Sequence, residues 1–331
     1  MEKMKSGSAV ILKRSFLILL TALLLASCQR KPADPLTKVT LHLTYIPNIQ
    51  FAPVYVAIEK GYFEAEGLEI SLNYGNEADL VALVGAGKEQ FMIASGEQVL
   101  LSRAQGLPVV NVWSWYRDYP VGIASMKTDD IQSIQDLKGK VIGLPGLYGA
   151  SYIGFMALAR HGGLQETDYS LRSIGFTQVE SLVSSQVDAV VVYLANEPVQ
   201  LRAKGYEINV LRVADAISLV GNGLVTNEKS IQKDHDLVRK VVSALQKGLL
   251  STVENPDKAF ELSQKYVENL TGEQAGIQRQ VLNESIKLWQ TSPKDPETSL
   301  RWEHMQEVLL DLGLLSEPLD LKGAWSDAFV Q

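Results

Sequence analysis

Aromatic side chains and amide or carboxyl side chains stand together where predicted strands end. The aromatic residues are Tyr45, Phe51, Trp115, Tyr116, Tyr148 and Tyr193, and the polar ones are Asn48, Gln50, Glu97, Gln98, Asn196 and Glu197. Aromatic rings stack on a flat heterocycle, and amides and carboxylates fix its ring nitrogens and carbonyls by hydrogen bonds. These residues therefore predict a binding site for an aromatic small molecule.

Sequence motifs for other chemistries are missing. The chain contains no GxSxG, HExxH or P-loop pattern. Its histidines lack the spacing of metal ligands, so we expect no metal site; they are His42, His161, His235 and His304. A glycine-rich segment, residues 143–149, follows a predicted strand. Its backbone N–H groups, near Gly146, either receive a ligand acceptor at a helix N-terminus or form only a tight turn.

An alternation of predicted strands and helices must position these residues. Apolar strands are predicted at 39–45, 68–74, 91–94, 109–114, 140–144, 189–192 and 208–213. Amphipathic helices lie between them, one of them formed by the apolar residues Phe51, Val54, Tyr55 and Ile58. This alternation predicts an α/β fold with largely parallel sheets, covered by helices on both faces.

The α/β pattern occurs twice, which predicts two lobes. We place the first part of lobe 1 at 39–122, lobe 2 at 123–221, and the return of lobe 1 with C-terminal helices at 222–331. Residues 219–227 look like a strand crossing back, and we expect it to pair with the strand around 121–125. Helices predicted at 234–253, 256–266, 271–288 and 298–312 should support the first lobe. Two crossings form a hinge, and a small ligand is expected in the cleft between the lobes.

The N-terminus has the pattern of a secretory signal. Basic residues precede an apolar run at 15–26 that is short for a membrane span. The sequence Leu25-Ala26-Ser27-Cys28 resembles a bacterial lipobox, and Cys28 is the only cysteine. We therefore expect a lipoprotein signal peptide at 1–27, lipidation of Cys28 on the extracytoplasmic side of the cell membrane, and a tether at 28–38. The alternative is an ordinary cleaved signal with an incidental cysteine.

Composition limits the class of protein further. With 331 residues, of which 46% are hydrophobic and 21% charged, the chain can form about two globular domains. Its formal net charge is −7, which argues against nucleic acid as a partner.

One stretch resembles a known family. Residues 44–68, TYIPNIQFAPVYVAIEKGYFEAEGL, are similar to the opening motif of type 2 periplasmic solute-binding proteins related to thiamine-pyrimidine synthases. LSRAQGLPV, YPVGIAS, DLKGKVIGLPGLYGASY and VDAVVVYLANEP follow in the family's order. The resemblance implies a type 2 periplasmic-binding-protein fold, with two doubly wound α/β lobes joined by a two-segment hinge. It also implies a cofactor-free monomer that delivers its ligand to the permease and ATPase subunits of an ABC importer.

The same resemblance raises an enzyme hypothesis. The synthases are expected to use a lysine that holds pyridoxal phosphate, a nearby histidine and a cysteine cluster. Here the lysine and histidine positions fall on Ala94 and Gln98, and the segment 219–225 contains no cysteine. Without an amine no Schiff base can form, so we expect a binding protein rather than an enzyme.

The choice of ligand depends on Phe51. Pyrimidine binders of the family are expected to carry a histidine after the Pro-Asn motif, whereas this chain has PNIQF. YIPNIQFAPVYVA, PGLYGASY and VYLANEP resemble riboflavin-binding members instead, and a phenyl ring suits a larger, flatter ligand. Riboflavin is therefore the first expectation and a formylaminopyrimidine the second. An alkanesulfonate binder is a third, which would need an anion site and has Arg117 as its one cationic candidate.

Overall fold

The computed structural model describes residues 35–268, 270–290 and 295–330. The predicted signal peptide, Cys28 and the tether up to residue 34 lie outside the described residues. None of the described helices combines the length and the apolar character needed to cross a membrane.

Apolar runs build a first sheet of five strands in the order β2-β1-β3-β10-β4. β1 and β3 are parallel, whereas β10 is antiparallel to both of its neighbours. The strands are β1 (Thr37–Thr44), β2 (Leu68–Gly75), β3 (Phe91–Ala94), β4 (Val109–Ser114) and β10 (Gly223–Asn227).

A second sheet is formed by the middle of the chain, in the order β7-β6-β8-β5-β9. β6 runs parallel to β7 and β8, and β5 is antiparallel to β8 and β9. Its strands are β5 (Val121–Met126), β6 (Val141–Leu144), β7 (Ser170–Ser173), β8 (Ala189–Tyr193) and β9 (Ile208–Arg212). The two sheets confirm the α/β class, but both are mixed rather than largely parallel. The lobe boundaries at 122 and 221 stay a prediction.

The expected partner of the return strand was wrong. Strand β10 does not pair with β5; it inserts between β3 and β4, with Gly223 opposite Ala94 and Ser114. β5 has no free edge, because β8 and β9 occupy both sides of it. Gly223 permits the insertion, since a Cβ there would lie 2.4 Å from the carbonyl oxygen of Trp113.

Helices cover both sheets and begin at the positions that their capping residues indicate. Asn76 caps α3 by accepting hydrogen bonds from the N–H groups of Ala78 and Asp79. The helices are α1 (Ala52–Glu59), α2 (Tyr62–Ala65), α3 (Glu77–Gly85), α4 (Gly96–Ala104), α5 (Gly149–His161), α6 (Gln178–Val183), α7 (Glu197–Ala203), α8 (Glu228–Lys233), α9 (His235–Glu254), α10 (Pro256–Ser263), α11 (Gly272–Leu288) and α12 (Thr298–Asp311).

The C-terminal helices pack mainly against helices and a turn that belong to the first sheet, and α11 and α12 also contact α7 and α5. α9 and α10 pack against α1, α11 packs against the turn that precedes α1, and α12 packs against α4. The contact between α9 and α1 is close: a Cβ on Gly248 would lie 2.2 Å from the carbonyl oxygen of Pro53. Helix α1 and the turn before it are therefore held in place by a helix far along the chain.

Replacing Gly248 with Ala should force α9 away from α1. Overpacking of this kind costs about 1–3 kcal/mol of unfolding free energy. Gly276→Ala is the matched control, because Gly276 is exposed in α11 with open space around its Cα. There the greater helix propensity of alanine should add up to about 1 kcal/mol. Urea denaturation of both variants measures the difference, and equal midpoints would contradict the close packing.

Candidate ligand-binding site

A cavity of about 380 Å³ lies where strands and turns of both sheets end. This volume is within the range of about 300–1,000 Å³ that is usual for small-molecule sites. Ten of the predicted site residues line it: Tyr45, Asn48, Gln50, Phe51, Trp115, Tyr116, Tyr148, Tyr193, Asn196 and Glu197.

The first-lobe wall is built by a short 3₁₀ turn, Ile49–Phe51, between β1 and α1. Asn48 fixes this turn because its Oδ1 accepts a hydrogen bond of 2.9 Å from the N–H of Gln50. The turn places Phe51 edge-on to Trp115, with ring centroids 6.1 Å apart. Trp115 is buried, and its ring centroid lies 6.0 Å from that of Trp289, which packs next to it.

Two exposed aromatic rings meet at the mouth of the cavity. Tyr45 follows β1 and Phe176 follows β7, so the rings belong to different sheets. Their centroids are 5.0 Å apart in an edge-on arrangement. Tyr45 has φ of 77°, a left-handed conformation that a bulky residue rarely adopts. The two lobes therefore touch at the mouth of the cavity, at a strained backbone position.

The second-lobe wall carries a carboxyl group at the start of α7. Glu197 Oε2 accepts a hydrogen bond of 2.8 Å from the N–H of Tyr193, and Oε1 accepts one of 2.9 Å from Nδ2 of Asn196. Asn196 Oδ1 in turn accepts a hydrogen bond from Gln200. Despite these donors, burial raises the pKa of Glu197 to about 7.

A second carboxyl group, Glu77, lines the first-lobe wall at the start of α3. Its Oε1 accepts hydrogen bonds from the N–H of Ser95 at 2.6 Å and from Ser95 Oγ at 2.8 Å. Behind it Glu97 is fully buried, and neither of its carboxyl oxygens has a hydrogen-bond partner among the described residues. Burial, and then the charge of Glu77, raise the pKa of Glu97 well above its ordinary value. Burial raises the pKa of Glu77 too, although the two hydrogen bonds from Ser95 lower it.

Two further buried polar atoms of lining residues lack partners in the described part of the chain: the indole Nε1 of Trp115 and the amide Oδ1 of Asn222. One is a donor and the other an acceptor. Buried polar groups are normally hydrogen-bonded, and unsatisfied ones require an explanation. Neither atom is exposed to the cavity, so the missing partners do not by themselves identify a ligand.

Three of the predicted residues, Glu97, Gln98 and Gly146, are not among the lining residues. The return crossing covers the start of α4 so closely that a Cβ on Gly96 would lie 2.1 Å from Val220. Next to this contact Glu97 is fully buried, whereas Gln98 is half-buried and lies outside the cavity. Gly146 lies beneath the ring of Tyr148, where a Cβ would come within 2.5 Å of the ring. It makes room for an aromatic wall.

Sequence reasoning missed other lining residues. Asn76 and Glu77 directly follow a predicted strand, so the rule that selected the other candidates could have found them. Phe176 and Gln178 follow β7, a strand that was not predicted because its sequence, SLRS, is largely polar. The remaining ones are Thr44, Ile46, Gly75, Ile93, Pro145, Ser151 and Asn222.

Arg117 belongs to a different cavity of about 410 Å³, on the side of α11. Its guanidinium pairs with Asp118, which also pairs with Arg212. The described residues that line this cavity include no aromatic ring. Among all the residues that the structure describes, no cluster of three His, Cys, Asp or Glu side chains could hold a metal ion. Arg117 is therefore not positioned to bind an anion in the aromatic cavity.

The arrangement of two sheets around a cavity is that of the periplasmic solute-binding proteins. The aliphatic sulphonate binding protein SsuA of Escherichia coli matches with a TM-score of 0.73 at 14% identity, over 88% of this chain and 99% of that one. The alkanesulfonate-binding protein SsuA of Xanthomonas axonopodis pv. citri matches with a TM-score of 0.70 at 13% identity, over 88% and 99%. At these identities the match establishes the fold alone.

The sequence gives a narrower assignment. Residues 48–259 match the family described as NMT1/THI5 like, and the chain belongs to this family. The riboflavin-binding protein RibY of Chloroflexus aurantiacus is 39% identical over 89% of this chain and 86% of that one. A formylaminopyrimidine-binding protein of Halalkalibacterium halodurans is 32% identical over 74% and 76%. A 4-amino-5-hydroxymethyl-2-methylpyrimidine phosphate synthase of Legionella pneumophila is 26% identical over 68% and 72%.

The raised pKa of Glu197 should make stability depend on pH. The folded protein binds this proton more tightly than the unfolded chain, whose glutamate has the ordinary pKa of 4.5. The stabilisation is complete below that value and is lost as the pH rises through about 7. Glu197→Gln removes this titrating group. The difference in unfolding free energy between the variant and wild type should therefore shift in favour of the variant by roughly 2–3 kcal/mol from pH 5 to pH 8.

Urea denaturation at pH 5, 6, 7 and 8 measures this trend. The exposed Glu180→Gln on α6 is the control and should follow wild type at every pH. The glutamine variant lacks one hydrogen-bond acceptor at every pH. This loss shifts its curve of unfolding free energy against pH by a constant amount and does not change the slope. Parallel curves for Glu197→Gln and wild type would contradict the raised pKa.

Proposed function

We propose that this chain is a solute-binding lipoprotein of an ABC importer that captures riboflavin outside the cell. The protein is a monomer without a cofactor, and it is tethered to the cell membrane through lipidated Cys28. It binds the vitamin between its lobes and hands it to the permease and ATPase subunits of the transporter. Closure of the lobes around the ligand stabilises the bound state.

One observation carries this proposal: the cavity is aromatic on both lobes, and none of the described residues that line it is a cation. Rings from the first lobe and the second lobe can contact opposite faces or edges of a flat tricyclic ligand. The aromatic lining consists of Tyr45, Phe51, Trp115, Tyr116, Tyr148, Phe176 and Tyr193. Such a wall suits the isoalloxazine ring.

Similarity favours riboflavin over a pyrimidine. The relative named riboflavin-binding is 39% identical, and the relative named formylaminopyrimidine-binding is 32% identical over a smaller part of the chain. Phe51 agrees with this order, because its ring faces the cavity and offers no hydrogen bond to a small pyrimidine. A formylaminopyrimidine remains the second candidate, since the same walls would bind a single aromatic ring.

Two other functions have less support. Synthase chemistry requires an amine for a Schiff base, and the corresponding position, Ala94, is a buried alanine on β3. A sulfonate ligand requires a cationic anion site, and Arg117, its one candidate, lies in the other cavity. The chain therefore acts as a carrier rather than an enzyme.

Riboflavin should quench the tryptophan fluorescence of the purified protein saturably, because Trp115 lies in the cavity wall beside Trp113. Phe51→Ala should weaken binding about tenfold, since loss of a stacked ring costs roughly 1–3 kcal/mol. Tyr206→Ala is the control, an aromatic residue outside the cavity that should leave affinity unchanged. The formylaminopyrimidine is titrated in parallel.

Unchanged riboflavin affinity in Phe51→Ala would contradict the role of that ring. Binding of the pyrimidine alone would keep the carrier function and replace the ligand. If neither compound binds at micromolar concentration, the proposed function is wrong.

Lipidation of Cys28 is tested on the protein extracted from membranes. Intact mass spectrometry should find a mature chain that begins at Cys28 and carries acyl groups. Cys28→Ser should lack the added mass and be released from the membrane fraction. A mature wild-type chain with an unmodified N-terminus would support the ordinary signal peptide instead.

A further inference from the structure

The charged side chains among the described lining residues of the aromatic cavity all have the same sign. Of the described residues that line it, the only charged ones are Glu77 and Glu197, one from each lobe. The remaining lining side chains are aromatic, aliphatic, hydroxyl or amide groups. An anion that entered the cavity would lose its hydration without meeting an opposite charge, and would face carboxylates on both walls.

Glu77 lines the cavity and accepts two hydrogen bonds that favour its ionised form. Ser95 donates both its N–H and its hydroxyl to Oε1, which stabilises the ionised form of Glu77. Its Oε2 accepts no hydrogen bond from the described residues and is left for a donor on the ligand. Glu97 behind it is fully buried, and burial, followed by the charge of Glu77, raises its pKa. Burial raises the pKa of Glu77 as well, and the two hydrogen bonds from Ser95 oppose that rise.

The partial positive charges of helix N-termini offset the negative charge of the two carboxylates only in part. Glu77 and Glu197 are each the first residue of a helix, α3 and α7, so each carboxylate offsets the partial positive charge of its own helix. Helix α5 starts beside the cavity without an acidic residue in its first turn. Its N-terminus contributes about half a positive charge. The two carboxylates together carry a larger negative charge, so the net charge at the cavity is negative.

We propose that Glu77 and Glu197 determine the charge specificity of this site, so that it accepts an uncharged heterocycle with hydroxyl or imide donors and rejects the phosphate esters of the same ligand. This inference rests on the proposed function and narrows it to free riboflavin as opposed to flavin mononucleotide. Hydroxyl groups of the uncharged ligand donate to Glu77 Oε2. A phosphate in the same space is repelled.

The test compares three flavins on the wild-type protein at pH 8, where phosphate monoesters carry two negative charges. Riboflavin is the reference, flavin mononucleotide adds charge and bulk, and riboflavin 5′-acetate adds bulk without charge. Flavin mononucleotide should bind at least about 30-fold more weakly than riboflavin, the size expected for like charges about 8 Å apart at a protein surface. The acetate ester should bind within about fivefold of riboflavin, because its added group is uncharged.

Removing the carboxylates should restore binding of the phosphate ester. Glu77→Gln keeps an acceptor for Ser95, and the Glu77→Gln/Glu197→Gln double variant should bring flavin mononucleotide to within about fivefold of riboflavin as the repulsion disappears. The exposed Glu180→Gln is the matched control and should keep the full discrimination. Circular dichroism verifies that each variant is folded, and the wild-type comparison with the acetate ester stands without any variant.

The outcomes separate this inference from the proposed function. If wild type binds riboflavin and flavin mononucleotide equally well, the carrier function stands and the inference is wrong. If the acetate ester is rejected as strongly as the phosphate ester, size and not charge selects, and the inference is wrong as well. If no flavin binds, the proposed function fails and the inference fails with it.

Discussion

The architecture depends on the insertion of β10 between β3 and β4. The first sheet lacks its fourth member until the chain returns from the second sheet, so two crossings are obligatory, and the cavity lies beside them. Gly223 is the residue that makes the insertion possible, because its Cα approaches the backbone of β4 more closely than any side chain allows. The return crossing also covers the start of α4 through Val220 and thereby determines which polar groups reach the cavity.

The polar chemistry of the cavity is organised around helix starts. Three helices begin with a carboxyl group in the first turn, namely Glu77 in α3, Glu97 in α4 and Glu197 in α7. Each negative charge is favoured by its helix end and disfavoured by burial. The raised pKa of Glu97 and of Glu197 indicates that burial is the stronger effect. The cavity therefore combines aromatic walls with two carboxyl groups, Glu77 and Glu197, whose pKa is raised by burial.

The sequence predicted the elements well and the long-range contacts poorly. Strand 91–94 and the C-terminal helices follow from local periodicity, and the strand-end rule selected ten of the 21 residues that line the cavity. Strand β7 was not predicted because an edge strand with mostly exposed residues has no pattern of apolar residues. Phe176, which follows it, was therefore missed as well. The pairing of β10 and the shielding of Glu97 depend on contacts over more than a hundred residues, which no local pattern encodes.

The contact between Tyr45 and Phe176 has a kinetic consequence. The two rings meet at the mouth, 5.0 Å apart and on different sheets, so any separation of the lobes breaks their contact before a bound molecule can leave. An interaction that must be lost on the way out slows dissociation, and most differences in affinity among related complexes arise in that rate. Residence time is thus set by two exposed rings at the mouth as well as by the walls that enclose the cavity.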